Sequence, residues 1–240
     1  RDPHVFRRRQ RQMCIRDSYS RISDRQRFGV AAVQSQAGAE NAMGGIAQAN
    51  ADNIPILVFV GGNNLAQLSV RPNFTASQHY QGWVKSVETI YSPSQVGDVM
   101  RRAFHALRNG TPGPVVVELT GDVCSQDVPE AAQNYQSPKI HRQMPEPDAI
   151  EEAAAALIYA ERPMIWAGQG VMFSGAAAAL QKLSELTAAP VFTTMPGKSA
   201  FDERHPLSLG AGSGTTTGPA HEWLTGSDVM LALGTSLTRT

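Results

Sequence analysis

The sequence predicts an α/β protein built as two successive parallel-sheet domains with helices on both faces. Three observations carry this. Continuous apolar runs of strand length recur along the chain, helical patterns with three- and four-residue spacing separate them, and a polar, proline-rich stretch divides one set from the next. Alternating strands and helices imply parallel sheets with right-handed crossovers, which bind ligands at the carboxyl ends of their strands. Functional residues are therefore expected in the turns after Val33, Val60, Ala167, Thr194 and Leu233.

Gly29-Val30-Ala31-Ala32-Val33 reads as the first buried strand, Ser35-Gln36-Ala37-Gly38 as its turn, and Glu40 to Asn50 as a helix of small residues. Ile56 to Val60 is the second strand, closed by Gly61-Gly62. After a polar loop, Ser92-Pro93-Ser94-Gln95 has the pattern of a capping box with proline at the first helical position. Val96, Val99, Ala103, Phe104 and Leu107 then share one helical face, ended by Asn109-Gly110. Val115 to Leu119 is the next strand. Residues 125–147, with Pro129, Pro138, Pro145 and Pro147, read as a linker.

Beyond it, Asp148 and Glu151 form a second predicted capping box, ahead of a stripe of Ile150, Ala154, Leu157 and Ile158. Met164 to Ala167 is a strand leading through Gly168-Gln169-Gly170 into a helix carrying Leu180, Leu183 and Leu186. Pro190 to Thr194 and Val229 to Leu233 are two more strands. A strand followed by a glycine turn and a helix makes this second domain Rossmann-like.

Composition excludes several classes. With 42% hydrophobic and 18% charged residues and two cysteines, the chain is neither disordered, collagen-like nor a disulfide scaffold. No apolar run approaches the roughly 18–20 residues that span a bilayer. Cys14 and Cys124 have no metal or disulfide spacing, so a reducing cytoplasm is expected. The formal net charge of zero combines unlike segments: residues 1–27 hold nine Arg and three Asp, and the rest holds 12 basic and 18 acidic side chains. The run Arg7-Arg8-Arg9-Gln10-Arg11 has no interleaved aromatics or recognition motif, which argues against a nucleic-acid arm. Residues 1–18 resemble translated adaptor sequence and are read as non-native.

Chemistry alone identifies no catalyst. The histidines have no partners at metal spacing, and His205 beside Pro206 is expected to be structural. Gly168-Gln169-Gly170 lacks the third glycine of a dinucleotide fingerprint. Gly210-Ala211-Gly212-Ser213-Gly214, ahead of a helix start at Thr215-Thr216-Thr217, reads either as a phosphate cradle or as a flexible loop.

Taken together, the segments resemble one family. Gly29 to Ala42 resembles the GVxxVTSGPGATN stretch of thiamine-diphosphate-dependent enzymes of the acetolactate synthase type. Ala51-Asp52-Asn53-Ile54-Pro55-Ile56 is similar to the family's DSxPxV segment, Val60-Gly61-Gly62 to ITG, and Thr111 to Leu119 to GRPGPVxxxIP. Pro163 to Gly170, Pro190 to Phe201, His205 to Gly210 and Asp228 to Gly234 resemble the family's central domain, with Arg239 matching an arginine that follows.

The resemblance implies a partial pyrimidine-binding domain over 19–124, a linker over 125–147 and a central domain, cut short, over 148–240, with a third, diphosphate-binding domain absent. It implies thiamine diphosphate and magnesium in a full-length homodimer or homotetramer, a 2-keto acid substrate, and no nucleic-acid or membrane partner. The cofactor serves as an electron sink for carboligation or decarboxylation. Ser35, Gln36, Ala37, Gly38, Asn41 and Pro55 fall at thiamine-facing positions. Gly168, Gln169, Gly170, Thr193, Gly210, Gly212, Gly234 and Arg239 fall where some relatives hold FAD or another nucleotide.

Two departures stand out. Gln36-Ala37 replaces Gly-Pro beside Gly38. The family's glutamate, which acts on the aminopyrimidine ring, is expected about three helical turns before Tyr19-Ser20-Arg21, where Arg9 stands, so no catalytic residue is assigned and the chain is expected to be inactive alone. The alternatives are a NAD- or FAD-binding dehydrogenase or NAD-dependent deacylase, and a non-catalytic partner subunit.

Overall fold

The computed structural model describes residues 4–141 and 143–237, with side chains from residue 13 onward. The chain divides into two units, Arg1–Arg142 and Gln143–Thr240.

The first unit runs α1 (His4–Ile22), β1 (Gly29–Val33), α2 (Ala37–Ala51), β2 (Ile56–Gly61), α3 (Ala76–His79), β3 (Ser86–Ile90), α4 (Val96–Arg108), β4 (Val115–Leu119) and α5 (Glu130–Gln133). Its strands are parallel in the order β1-β2-β4-β3. The apolar runs are continuous because both faces are covered. Ile56, Val58 and Val60 of β2 pack in the core shared with α1 and α2, while Leu57 and Phe59 face the core built on α4. Right-handed crossovers explain the division: the chain moves one way across the sheet from β1 to β2 and the opposite way from β3 to β4, which puts α2 and α4 on opposite faces.

Small residues in α2 let α1 approach closely; a Cβ on Gly45 would lie 2.9 Å from the Cβ of Met13. Residues 4–18, set aside above, are helical, and Met13 is 1% exposed in the core. Ser20, fully buried, donates to the Pro55 carbonyl (2.7 Å) and accepts from the Gly29 N–H (3.0 Å), tying α1 to the amino ends of β1 and β2. Arg21 reaches Asp17 (2.7 Å) and Asp52 (2.6 Å), which joins α1 to the end of α2.

The second unit runs α6 (Pro147–Tyr159), β5 (Pro163–Ala167), α7 (Gly170–Phe173), α8 (Ala177–Thr187), β6 (Val191–Thr194), β7 (Ser208–Gly212), α9 (Gly218–Gly226) and β8 (Val229–Leu233). Its sheet is parallel in the order β7-β6-β5-β8. Ile165, Ala167 and Val191 pack against Val171 and Leu180 on one face, and Met164 and Phe192 pack against Ala220 on the other.

Several local expectations need correction. Ser92 makes no cap bond; residues 93–95 form a 3₁₀ turn, the Ser92 hydroxyl meets that of Ser94 (2.9 Å), and Gln95 accepts from the Tyr91 N–H (3.0 Å). Glu146 rather than Asp148 precedes α6, which starts at Pro147 with no side-chain cap. Of the α6 stripe only Leu157 is buried, and Leu186 of α8 is exposed. β3 and β7 were not expected as strands. Both lie at sheet edges, where one-sided pairing requires no continuous apolar run.

Candidate functional site

In the first unit, β1 and β2 lead to α2 and α3 on one face, while β3 and β4 lead to α4 and α5 on the other. The connections leave neighbouring strands β2 and β4 for opposite faces, which makes their carboxyl ends the switch point where sheets of this kind bind ligands. Gly61 to Asn64 and Thr120 to Asp122 flank that point and bond each other directly, Gly121 N–H donating to the Asn63 carbonyl (3.4 Å), and the Ser35–Gly38 turn after β1 adjoins them. A Cβ on Gly61 would lie 3.1 Å from the Ser35 nitrogen.

This turn has an unusual backbone. Gln36 stands at φ 52°, ψ −111°, a conformation that glycine adopts without steric cost and other residues do not. Its carbonyl accepts from the Glu40 N–H (2.9 Å), starting α2. The Gln36 amide points to Asn63 Oδ1 (3.4 Å), the Asn63 amide bonds Asn73 Oδ1, and Asn73 donates to the Leu68 carbonyl (3.1 Å). A chain of side-chain amides thus links the turn to the 62–75 loop. That loop is also held by β4, since Gly62 N–H donates to the Leu119 carbonyl (2.6 Å) and Leu65 N–H to Asp122 Oδ1 (3.0 Å).

Of the residues expected to face thiamine, Ser35, Gln36, Ala37 and Gly38 lie together at this edge. Asn41 sits one turn into α2, its amide bonded back to the Ala37 carbonyl (2.6 Å). Pro55 is not brought to the site: it precedes β2, at the amino edge of the sheet, with its carbonyl on Ser20. Two buried residues behind the site escaped the sequence reading. Glu118 (2% exposed) accepts from the N–H groups of Ala76 (3.0 Å) and Ser77 (3.2 Å) and the Thr89 hydroxyl (3.3 Å). Tyr80, fully buried, donates to the Ala39 carbonyl (2.5 Å). Their backbone partners are some forty positions away in sequence, and Thr89 is 29 from Glu118, so no local pattern announces them.

In the second unit the strand order reverses at β5, with β6 on one side and β8 on the other, and Gly168-Gln169-Gly170 and Gly234 meet at their carboxyl ends. The turn's glycine amides are engaged: Gly168 N–H donates to the Leu233 carbonyl (2.8 Å) and Gly170 N–H to the Gly234 carbonyl (2.9 Å). A Cβ on Gly170 would lie 2.7 Å from Gly234 Cα, and one on Gly197 2.8 Å from the Gly168 carbonyl carbon. These glycines let backbones touch. A cavity of about 240 Å³ beside them is lined by Val171, Leu180, Leu183 and Leu233. The Gly168 and Gly170 amides are thus committed to main-chain carbonyls, and the cavity beside them is mainly apolar, with Ser174 also in its lining.

Gly210 and Gly212, expected in a glycine loop, belong to strand β7. Buried Thr193 in β6 donates to the Gly210 carbonyl (3.4 Å), and Arg239 lies outside the described residues. The expected helix start holds: the Thr217 hydroxyl accepts from the Ala220 N–H (3.3 Å). His205 is structural in its contacts, with Nδ1 accepting from Leu207 N–H (3.2 Å), Nε2 on Glu185 (3.3 Å) and the ring edge-on to Phe201. Among the described residues no three His, Cys, Asp or Glu gather as metal ligands, and no helix is long and apolar enough to cross a membrane.

Comparison with known proteins agrees with this two-unit arrangement. Residues 4–88 match the thiamine pyrophosphate enzyme N-terminal TPP binding domain, and residues 150–240 match the thiamine pyrophosphate enzyme central domain. The chain belongs to the thiamine pyrophosphate enzymes. It is 34% identical over 91% of its length to a "Probable acetolactate synthase large subunit" of Methanocaldococcus jannaschii, covering 38% of that protein. It is 35% identical over 78% of its length to "Glyoxylate carboligase" of Escherichia coli O157:H7, covering 32% of it. A "Probable 2-ketoarginine decarboxylase" of Pseudomonas aeruginosa is 31% identical over 93% of the chain, which covers 40% of that relative. The chain thus spans about a third to two fifths of the length of these relatives. Membership in the family displaces the dehydrogenase and deacylase readings of the glycine turns.

Proposed function

We propose that this chain supplies the pyrimidine-binding and central regions of a thiamine-diphosphate-dependent carboligase or decarboxylase acting on a 2-keto acid, a transferase or lyase working in the cytoplasm as a homo-oligomer. The observation that carries the reading is Gln36. Its backbone takes a glycine conformation where the family pattern has glycine, so the turn keeps the family's path although the side chain has changed.

In this reading Ser35, Gln36, Ala37 and Gly38 border the aminopyrimidine end of the cofactor. When bound, thiamine diphosphate supplies a thiazolium electron sink for the carbanion formed as a C–C bond breaks. This chain's own residues shape and orient. The glycine-like turn brings backbone to the carboxyl edge of the sheet, and the Gln36–Asn63–Asn73 amides fix the neighbouring loop. Arg9 stands where the resemblance expects the family glutamate and carries no carboxylate for the aminopyrimidine ring.

Calorimetric titration of the chain with thiamine diphosphate, FAD and NAD tests the proposal. Thiamine diphosphate is expected to bind, and FAD is expected to leave the amide resonances of Gly168 and Gly170 unshifted. Tight binding of NAD, with none of thiamine diphosphate, would overturn the reading.

A further inference from the structure

Behind the Ser35–Gly38 turn lies a buried polar path that begins on the sheet and ends on the first turn of α2. The Glu118 carboxylate rises from the end of β4 between β2 and β3 and takes the N–H groups of Ala76 and Ser77, which start α3. Gly62 gives it room, since a Cβ there would lie 3.1 Å from Glu118 Cγ. Immediately after α3, Tyr80 enters the core edge-on to Phe74 and extends its hydroxyl to the Ala39 carbonyl, one residue past Gly38. Burial, with the nearby Glu40 charge, pushes the Tyr80 phenol well above its ordinary pKa, so it stays protonated and donating.

A buried carboxylate is costly unless its acceptors are filled, and Glu118 has three donors. Nothing in the fold of β4 requires an acid here, because its neighbours Val115, Val116 and Val117 fill the strand with aliphatic groups. The acid's contacts all serve to seat α3 and β3. α3 in turn carries the hydroxyl that meets Ala39.

We propose that Glu118 and Tyr80 are positioning residues for the cofactor-facing turn: Glu118 seats α3, and α3 places the Tyr80 hydroxyl that fixes the start of α2 and with it Ser35–Gly38. This rests on the thiamine reading for its functional meaning and on the hydrogen bonds alone for its mechanics.

Two conservative variants of the full chain, Tyr80→Phe and Glu118→Gln, test it by amide hydrogen exchange and by thiamine diphosphate titration. Tyr80→Phe removes one oxygen and leaves the Ala39 carbonyl its helical partner. Glu118→Gln keeps the shape but turns an NH₂ toward a backbone donor. Both are expected to speed exchange of amides 36–42 by about tenfold, the loss of one buried hydrogen bond. Strands β1, β2 and β4 and the whole second unit should be unaffected, and thiamine diphosphate affinity should fall by about three- to tenfold. Unchanged exchange at 36–42, or an equal rise across the first unit, would overturn the positioning role. If the unaltered chain fails to bind thiamine diphosphate, the cofactor reading falls, and the exchange comparison still decides whether these two residues hold the turn.

Discussion

Gln36 concentrates the tension between sequence and structure into one residue. Holding a non-glycine side chain at φ 52°, ψ −111° costs on the order of 1–3 kcal/mol. Glycine would relieve that strain at an entropic cost of about 1 kcal/mol. The Gln36→Gly variant is therefore expected to be more stable by about 1 kcal/mol in urea denaturation, even though it loses the 3.4 Å contact to Asn63. The substitution was legible in the sequence as a departure from the family pattern, whereas its backbone angle was not. Glu118 and Tyr80 were less legible still. Val115 to Leu119 was legible as a strand, but nothing in that run marks Glu118 as buried until its partners at Ala76 and Ser77 are known.

Asp52 carries the pH response at the same scale. Burial alone would raise its pKa, but hydrogen bonds from Arg21 and Gln48, with the charges of Arg21 and Arg25, hold it below the ordinary carboxylate range. A depressed folded pKa contributes stability that is present above the unfolded value of about 3.9 and is lost as pH falls through the folded value. Partial exposure screens the pair, so Asp52→Asn is expected to cost about 1 kcal/mol at pH 7. In urea titrations at pH 7 and pH 3, the variant should lose less stability on acidification than the unaltered chain.

For elements, the buried strands were readable because both faces are covered and the apolar run is unbroken. Every strand that sequence pattern identified occurs within one residue of its expected limits. The two that it missed, Ser86–Ile90 and Ser208–Gly212, are edges with polar or glycine residues. Helix starts were read less reliably, because a capping pattern names residues that can bond the backbone and leaves open whether the first turn is α or 3₁₀. The structure separates two cases that look alike on paper. Thr217→Ala is expected to cost about 1 kcal/mol, since its hydroxyl caps Ala220, whereas Ser92→Ala should stay within about 0.5 kcal/mol. Chemical denaturation of the two variants compares them directly.

For the whole molecule, sequence pattern yields two α/β units because each has its own set of strands and its own aliphatic core. Strand order is a different matter. Both sheets place a strand out of sequence, β4 between β2 and β3 in one and β8 beyond β5 in the other, and these reversals decide which turns adjoin. Crossover handedness converts such an order into helix placement, but the order itself depends on which edges meet in space. The turns were therefore foreseeable as sites, while the pairing of the Ser35–Gly38 turn with the Asn63 loop was not.

The interlocked glycines of the second unit change what such residues mean in a sequence. Gly168, Gly170, Gly197 and Gly234 each face main chain, and main chain cannot rotate away as a side chain can. A mutational library at these four positions would accordingly return glycine whether or not any nucleotide was ever present. Glycines of this kind record how closely three loops are folded together, and a search for ligand-binding motifs that counts them as votes for a cofactor would be counting the loop closure instead.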